Sequence, residues 1–212
     1  MKRSVVLICL VVMAVASAFG AGLCTDAANI GANVLTPGFS CSLGPLYFSN
    51  FTATQSGLGE APIIWLGTGV SGNLTGFSAN VANLYFNTNF NDTVSTLRII
   101  GFSFQVSGPV DMVDGWLGGS GNRSISEWVC LQQGCSEQDA IAALNLTQAN
   151  TTGSTGFELV NGIWVSKTMT VNVGAGLSHF SQSFHTIPEP LAMVLVGSGL
   201  LGLGLLRRRL RS

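Results

Sequence analysis

Short runs of alternating apolar and polar residues recur from Leu46 to Phe184, separated by clusters of Gly, Asn and Ser. A period of two is the mark of a half-buried β-strand. Leu46-Tyr47-Phe48-Ser49-Asn50-Phe51 is one such run, and Ile63-Ile64-Trp65-Leu66 is another. Leu74 to Phe90, Phe157 to Leu159, Ile163 to Val165, Met169 to Val173 and Leu177 to Phe184 continue the pattern. In Thr96 to Val106 the apolar positions run Leu97, Ile99, then Phe102, Phe104 and Val106. That change of phase predicts a bulge at Gly101. Asn161-Gly162 between Val160 and Ile163 predicts a hairpin turn. One helix is expected, over 137–144, with Ser136 as its cap and Asp139 at the third position. The stretch 148–156 reads as a loop. Seven to ten short strands, with neither an internal repeat nor a long Gly/Ser linker, predict a single antiparallel β-sandwich of jelly-roll type over residues 19–186.

The two ends follow other rules. Met1-Lys2-Arg3 is positive, Val5 to Val15 is apolar, and Ala16 and Ala18 are the small residues that a signal peptidase reads. These are the parts of a secretory signal peptide, with cleavage expected after Ala18 and a second candidate site after Ala21. The apolar stretch is shorter than the about 20 residues of a membrane-spanning helix. Lipid attachment at Cys24 is disfavoured by the bulky Leu23 before it. At the other end, Pro188-Glu189-Pro190 precedes an uncharged apolar run, Leu191 to Leu206, which is followed at once by Arg207, Arg208, Arg209 and Arg211. As a helix that run is about 24 Å long. It spans a bilayer core of about 30 Å with local thinning or snorkelling arginines. The arginines favour the cytoplasmic side, which puts the body outside. The signal peptide predicts the same side independently.

Those three parts in that order resemble the PEP-CTERM sorting signal of Gram-negative bacteria. The same segment is also known as an ice-binding protein C-terminal domain, a term that concerns the tail only. The resemblance covers residues 187–212. It rests on Pro188, Glu189 and Pro190 and on the basic end Arg207 to Arg209. It implies export through the Sec machinery and signal peptidase, anchoring in the inner membrane by helix 191–206, and processing by an exosortase, a membrane-embedded cysteine protease. The destination implied is the cell surface or the exterior, in bacteria that often make exopolysaccharide.

Charge sharpens this picture. The chain is 47% hydrophobic, 9% charged and formally −1. That near-neutral total conceals an asymmetry, because residues 19–190 hold all ten acids and only Arg98, Arg123 and Lys167 as cations. A body at −7 has no basic footprint for nucleic acid, and anionic lipid surfaces repel it. Export also gives the cysteines a meaning. Cys9 leaves with the signal, and the even set Cys24, Cys41, Cys130 and Cys135 reads as two disulfides. Three connectivities are open, and proximity in sequence favours Cys24–Cys41 with Cys130–Cys135. A zinc site is not indicated, because the two close cysteines have no histidine near them.

No catalytic constellation stands out, and neither a cofactor nor a metal is expected. His179 and His185, six residues apart on the last strand, share a face, but no carboxylate adjoins them in sequence. Asp111 and Asp114 are the closest carboxylate pair in a Gly-rich loop, yet they lack the spacing of a calcium site. Glu60, Asp92, Asp111, Asp114, Glu127 and Glu158 would need the fold to pair any two of them as a glycosidase does. No G-x-S-x-G elbow is present. Trp65, Trp116, Trp128 and Trp164 have core packing as their default role and sugar stacking as the alternative. Six Asn-x-Ser/Thr sequons, from Asn50 to Asn150, reflect abundant Asn and Thr in an exported bacterial chain. The expectation is therefore a non-enzymatic envelope or matrix protein. A carbohydrate-binding module with polysaccharide as partner is the alternative, and an envelope hydrolase comes third.

Overall fold

The computed structural model describes residues 21–56, 59–70, 73–90 and 93–187. The signal residues Ala16 and Ala18, the motif Pro188, Glu189 and Pro190, the apolar run and Arg207, Arg208 and Arg209 lie outside them. No helix among the described residues is long and apolar enough to cross a membrane.

The described chain folds as a jelly-roll-like antiparallel β-sandwich. Its strands are β1 (Cys41–Leu43), β2 (Leu46–Ser56), β3 (Ile64–Leu66), β4 (Gly69–Val70), β5 (Asn73–Leu74), β6 (Gly76–Ser78), β7 (Val81–Phe90), β8 (Arg98–Leu117), β9 (Arg123–Cys130), β10 (Ala142–Thr147), β11 (Thr152–Val171) and β12 (Leu177–His185). β8 and β11 pair along almost their whole length and take part in both layers. The first half of β8 lies between β2 and the second half of β11, and β9 and then β10 continue that layer outward. The second half of β8 lies between the first half of β11 and β12, with β7 and then β3 beyond.

Alternation explains the closure. Ile100, Phe102, Phe104 and Val106 of β8 point inward, as do Phe48 and Phe51 of β2, Leu84 and Phe86 of β7, and Phe180 and Phe184 of β12. Phenylalanines of the two layers meet directly, with Phe102–Phe180 ring centroids 5.8 Å apart and Phe86–Phe102 centroids 5.6 Å apart. Each such side chain contributes roughly 1.5–3 kcal/mol by leaving water. Where β10 closes over the β8–β11 edge of the second layer, glycines make room. A Cβ at Gly115 or at Gly153 would lie 2.8 Å or 2.7 Å from the Leu144 methyls.

Several local expectations give way to tertiary pairing. Ser136 does bond Asp139 (Oγ to Oδ2, 2.8 Å), but the helical turn is a 3-10 turn that stops at Asp139. Residues 142–144, expected to be helical, enter β10, because Leu144 and Leu146 alternate inward and their backbone pairs with β9. An isolated helix of eight residues is too short to compete. Asn161-Gly162 makes no hairpin. β11 runs straight through it, because β8 offers partners to both halves, and Gly162 (φ 145°) sits in a register shift opposite Ser107. The expected loop over 148–156 shrinks to 148–151, since Thr152 already pairs with Trp116. Gly101 holds no bulge. Its register is continuous with both β2 and β11, and Ile100 rather than Ile99 supplies the inward residue. The register shifts of the β8–β11 pair fall instead between Gly156 and Gly162. Both disulfides form as favoured, Cys24–Cys41 with Cα atoms 4.9 Å apart and Cys130–Cys135 with Cα atoms 6.2 Å apart.

Candidate functional site

The second layer turns a polar face outward, and its residues follow from alternation. On β12, Phe180, Gln182 and Phe184 point in, so His179, Ser181, Ser183 and His185 take the outer phase. On β8, Val113 and Leu117 point in, so Asp114 and Trp116 point out. Cross-strand register then sets these side chains in rows. Trp116 lies between Thr152 and Ser181, and Asp114 lies between Ser154 and Ser183. Together with Asn73 they line a groove of about 420 Å³.

Trp116 is held as a wall. The His179 ring packs against it at 4.9 Å and against Tyr85 at 5.4 Å. Gly118 leaves space for that imidazole, since a Cβ there would lie 1.9 Å from His179 Nε2. His179 Nδ1 and the Ser178 hydroxyl are 2.8 Å apart. Burial, and secondarily the positive charge of Arg123, hold the His179 imidazole below its ordinary range. Asp114 Oδ2 lies 2.6 Å from His185 Nε2, and both side chains are about one-third exposed. Ser181 donates to Asn73 Oδ1 (3.2 Å), Ser183 donates to Asn83 Oδ1 (2.9 Å), and Asn83 Nδ2 donates to the Leu74 carbonyl (2.7 Å). The result is a firm aromatic wall beside one carboxylate and a lattice of hydroxyls and amides.

This corrects the sequence reading at several points. Asp111 and Asp114 belong to a strand and not to a loop. His179 and His185 do share a face, but Asp114 reaches His185 from the neighbouring strand. None of the four tryptophans is in the core. Trp65, Trp116, Trp128 and Trp164 each sit half-buried between inward neighbours, in the outward phase. Of the other carboxylates, Glu60 and Glu158 are exposed, Glu127 is buried, and Asp92 lies outside the described residues. Asp114 is the carboxylate lining this groove. Among the described residues no group of three His, Cys, Asp or Glu could hold a metal ion. Sequence reasoning passed over Ser181, Ser183, Asn73, Thr152 and Ser154, whose only signal is polar phase on a strand.

A second cleft, of about 470 Å³, opens on the outer face of the first layer, with Tyr47, Asn50, Gln133 and Trp164 among its lining residues. Asn50, in the left-handed region at φ 55°, donates to Gln105 Oε1 at 2.9 Å.

No family model and no curated protein matches this chain. Solved structures give loose superpositions. TmCBM61, solved in complex with β-1,4-galactotriose, is 11% identical over 66% of this chain and 90% of that one, with a TM-score of 0.37. The family 32 carbohydrate-binding module from C. perfringens NanJ, in complex with galactose, is 14% identical over 63% and 93%, with a TM-score of 0.27. The enzymatically active domain of the bacteriophage CBA120 tailspike protein 4 is 16% identical over 65% of this chain and only 18% of its own length, with a TM-score of 0.35. Scores this low carry neither a ligand nor an activity to this chain, so its function has to be argued from its own side chains.

Proposed function

We propose that this protein is an exported, non-catalytic glycan-binding domain that its C-terminal tail delivers to the cell envelope. The observation that carries the binding reading is the groove in which Trp116 stands beside Asp114 between rows of Ser, Thr and Asn. A pyranose has an apolar C–H face and a rim of hydroxyls. An indole braced on its far side suits the first. A carboxylate accepts from two neighbouring hydroxyls, while serine, threonine and asparagine both donate and accept. The acidic body favours a neutral polysaccharide over an anionic one.

Binding is tested by titrating the protein with a panel of neutral glycans, including the producing cell's own exopolysaccharide, and reading tryptophan fluorescence and heat. A shift lost in Trp116→Ala supports the assignment. Silence across the panel, or undiminished binding by that variant, removes it.

The tail enters the same proposal through Pro188-Glu189-Pro190, the apolar run and the arginines. Co-expression with an exosortase should shorten the product at its C-terminus. An intact C-terminus with and without the protease defeats the sorting reading.

A further inference from the structure

Three polar side chains occupy the inward phase of their strands, in the middle of the apolar core. Lys167 of β11 is 2% exposed, Glu127 of β9 1%, and Gln182 of β12 0%. Lys167 and Glu127 are direct cross-strand partners in the first layer, and Gln182 meets them from the second. Lys167 Nζ contacts Glu127 Oε2, and it lies 2.5 Å from Gln182 Oε1. Gln182 Nε2 donates to Glu127 Oε1 at 3.0 Å. The Phe180 ring covers the amine, with its centroid 5.7 Å from Nζ. Val165, Met169, Ile125, Val129 and Phe184, all buried, occupy the neighbouring inward positions.

We propose that Lys167 and Gln182 are the two ends of a self-formed amide cross-link, with Glu127 as the proton carrier between them. An amine, a primary amide and a carboxylate touching both nitrogens form a complete set for transamidation, and a dry core keeps water from competing. The amine must first become neutral. Burial holds Lys167 below its ordinary range, against the opposing charge of Glu127. One proton passes from Nζ to Glu127, and the freed lone pair adds to Gln182 Cδ. The Cδ–Nε2 bond then breaks, and Nε2 takes a proton from Glu127 and leaves as ammonia. Of the three protons on the original ammonium, one stays on the new amide, one departs in the ammonia, and one rests on Glu127. No oxidant or external reactant is required. The product also removes both formal charges from the core, where a desolvated ion pair is costly. The bond fastens β12, the strand nearest the tail, to the central strand of the opposite layer.

Peptide mapping of the purified full chain decides the matter. Chymotrypsin cuts at Phe180, between the two residues. After reduction and denaturation, a branched peptide joining the Lys167 and Gln182 fragments, lighter by one ammonia than their sum, is the expected result. Separate Lys167 and Gln182 fragments at full mass overturn the cross-link. Glu127→Gln, checked for folding by circular dichroism, should give the separate fragments. A folded, linked Glu127→Gln protein overturns the role of Glu127. If that variant does not fold, the wild-type map alone settles the bond.

Discussion

Two carboxylate–base pairs flank β12, and they live in different solvents. Glu127 and Lys167 lie on its inner side with side chains 1% exposed, while Asp114 and His185 lie on its outer side at about one-third exposure. β12 serves both through alternation: Gln182 completes the inner cluster, and Ser183 and His185 furnish the outer one. Burial therefore decides what each pair is for. A charge without water must be matched completely or neutralised, so the inner cluster is a structural commitment of the fold. A charge that water still reaches can exchange partners, so the outer pair remains available to a ligand.

Removing one inner partner gives the largest expected effect. Glu127→Ala strands an amine in the core and should lower stability by about 3–5 kcal/mol. Asp114→Ala should change it by less than about 1 kcal/mol. Denaturant unfolding midpoints of the two variants test the contrast, and equal losses would break it. Glycan titration should reverse the order, with Asp114→Ala losing binding and any folded Glu127 variant keeping it.

The next contrast lies within β12 itself. Gln182→Ala leaves buried polar atoms of Lys167 and Glu127 without a partner, worth about 1–3 kcal/mol, and more if the lysine is acylated. Ser183→Ala, one residue on, should stay within about 0.5 kcal/mol. Thermal unfolding of the two single variants is the measurement. A costly Ser183→Ala would mean that the outer face is structural too.

The inner cluster could be read in sequence only as an anomaly of phase. Lys167 shares its parity with Ile163, Val165, Met169 and Val171, and Gln182 shares its parity with Phe180 and Phe184. A lysine and a glutamine in apolar phase announce partners but cannot name them, because Glu127 is brought in by strand pairing across 40 residues. The sandwich and both disulfides were readable, since period-two alternation and short cysteine spacings are local signals. The helix at 137–144 and the hairpin at Asn161-Gly162 were also local signals, and they misled for one reason. β9 provides ladder partners from Ala142 onward, β8 provides them on both sides of Asn161, and pairing outweighs propensity. The groove was the least readable part. Asn73, Asp114, Thr152 and Ser181 are far apart in the chain and meet only through register.

The smallest expected effect is also the one that joins the groove to its support. His179 packs against Tyr85 and Trp116, and burial, with Arg123 second, holds its imidazole below the reference value of 6.5. The unfolded chain takes up that proton near pH 6.5, and the folded chain does so only at lower pH. Between those two values the unfolded state binds more protons, so stability is full above about pH 6.5 and falls as the pH drops toward the folded value. Unfolding midpoints of the wild type and His179→Gln, compared at pH above and below this window, should converge on acidification. NMR titration of the imidazole should place its transition below the free-histidine value. An ordinary titration there, or a difference between the proteins that does not change with pH, would remove His179 from the account. Because the ring braces Trp116, the same acid window should weaken glycan binding in the wild type while leaving the Glu127–Lys167 side of β12 unaffected.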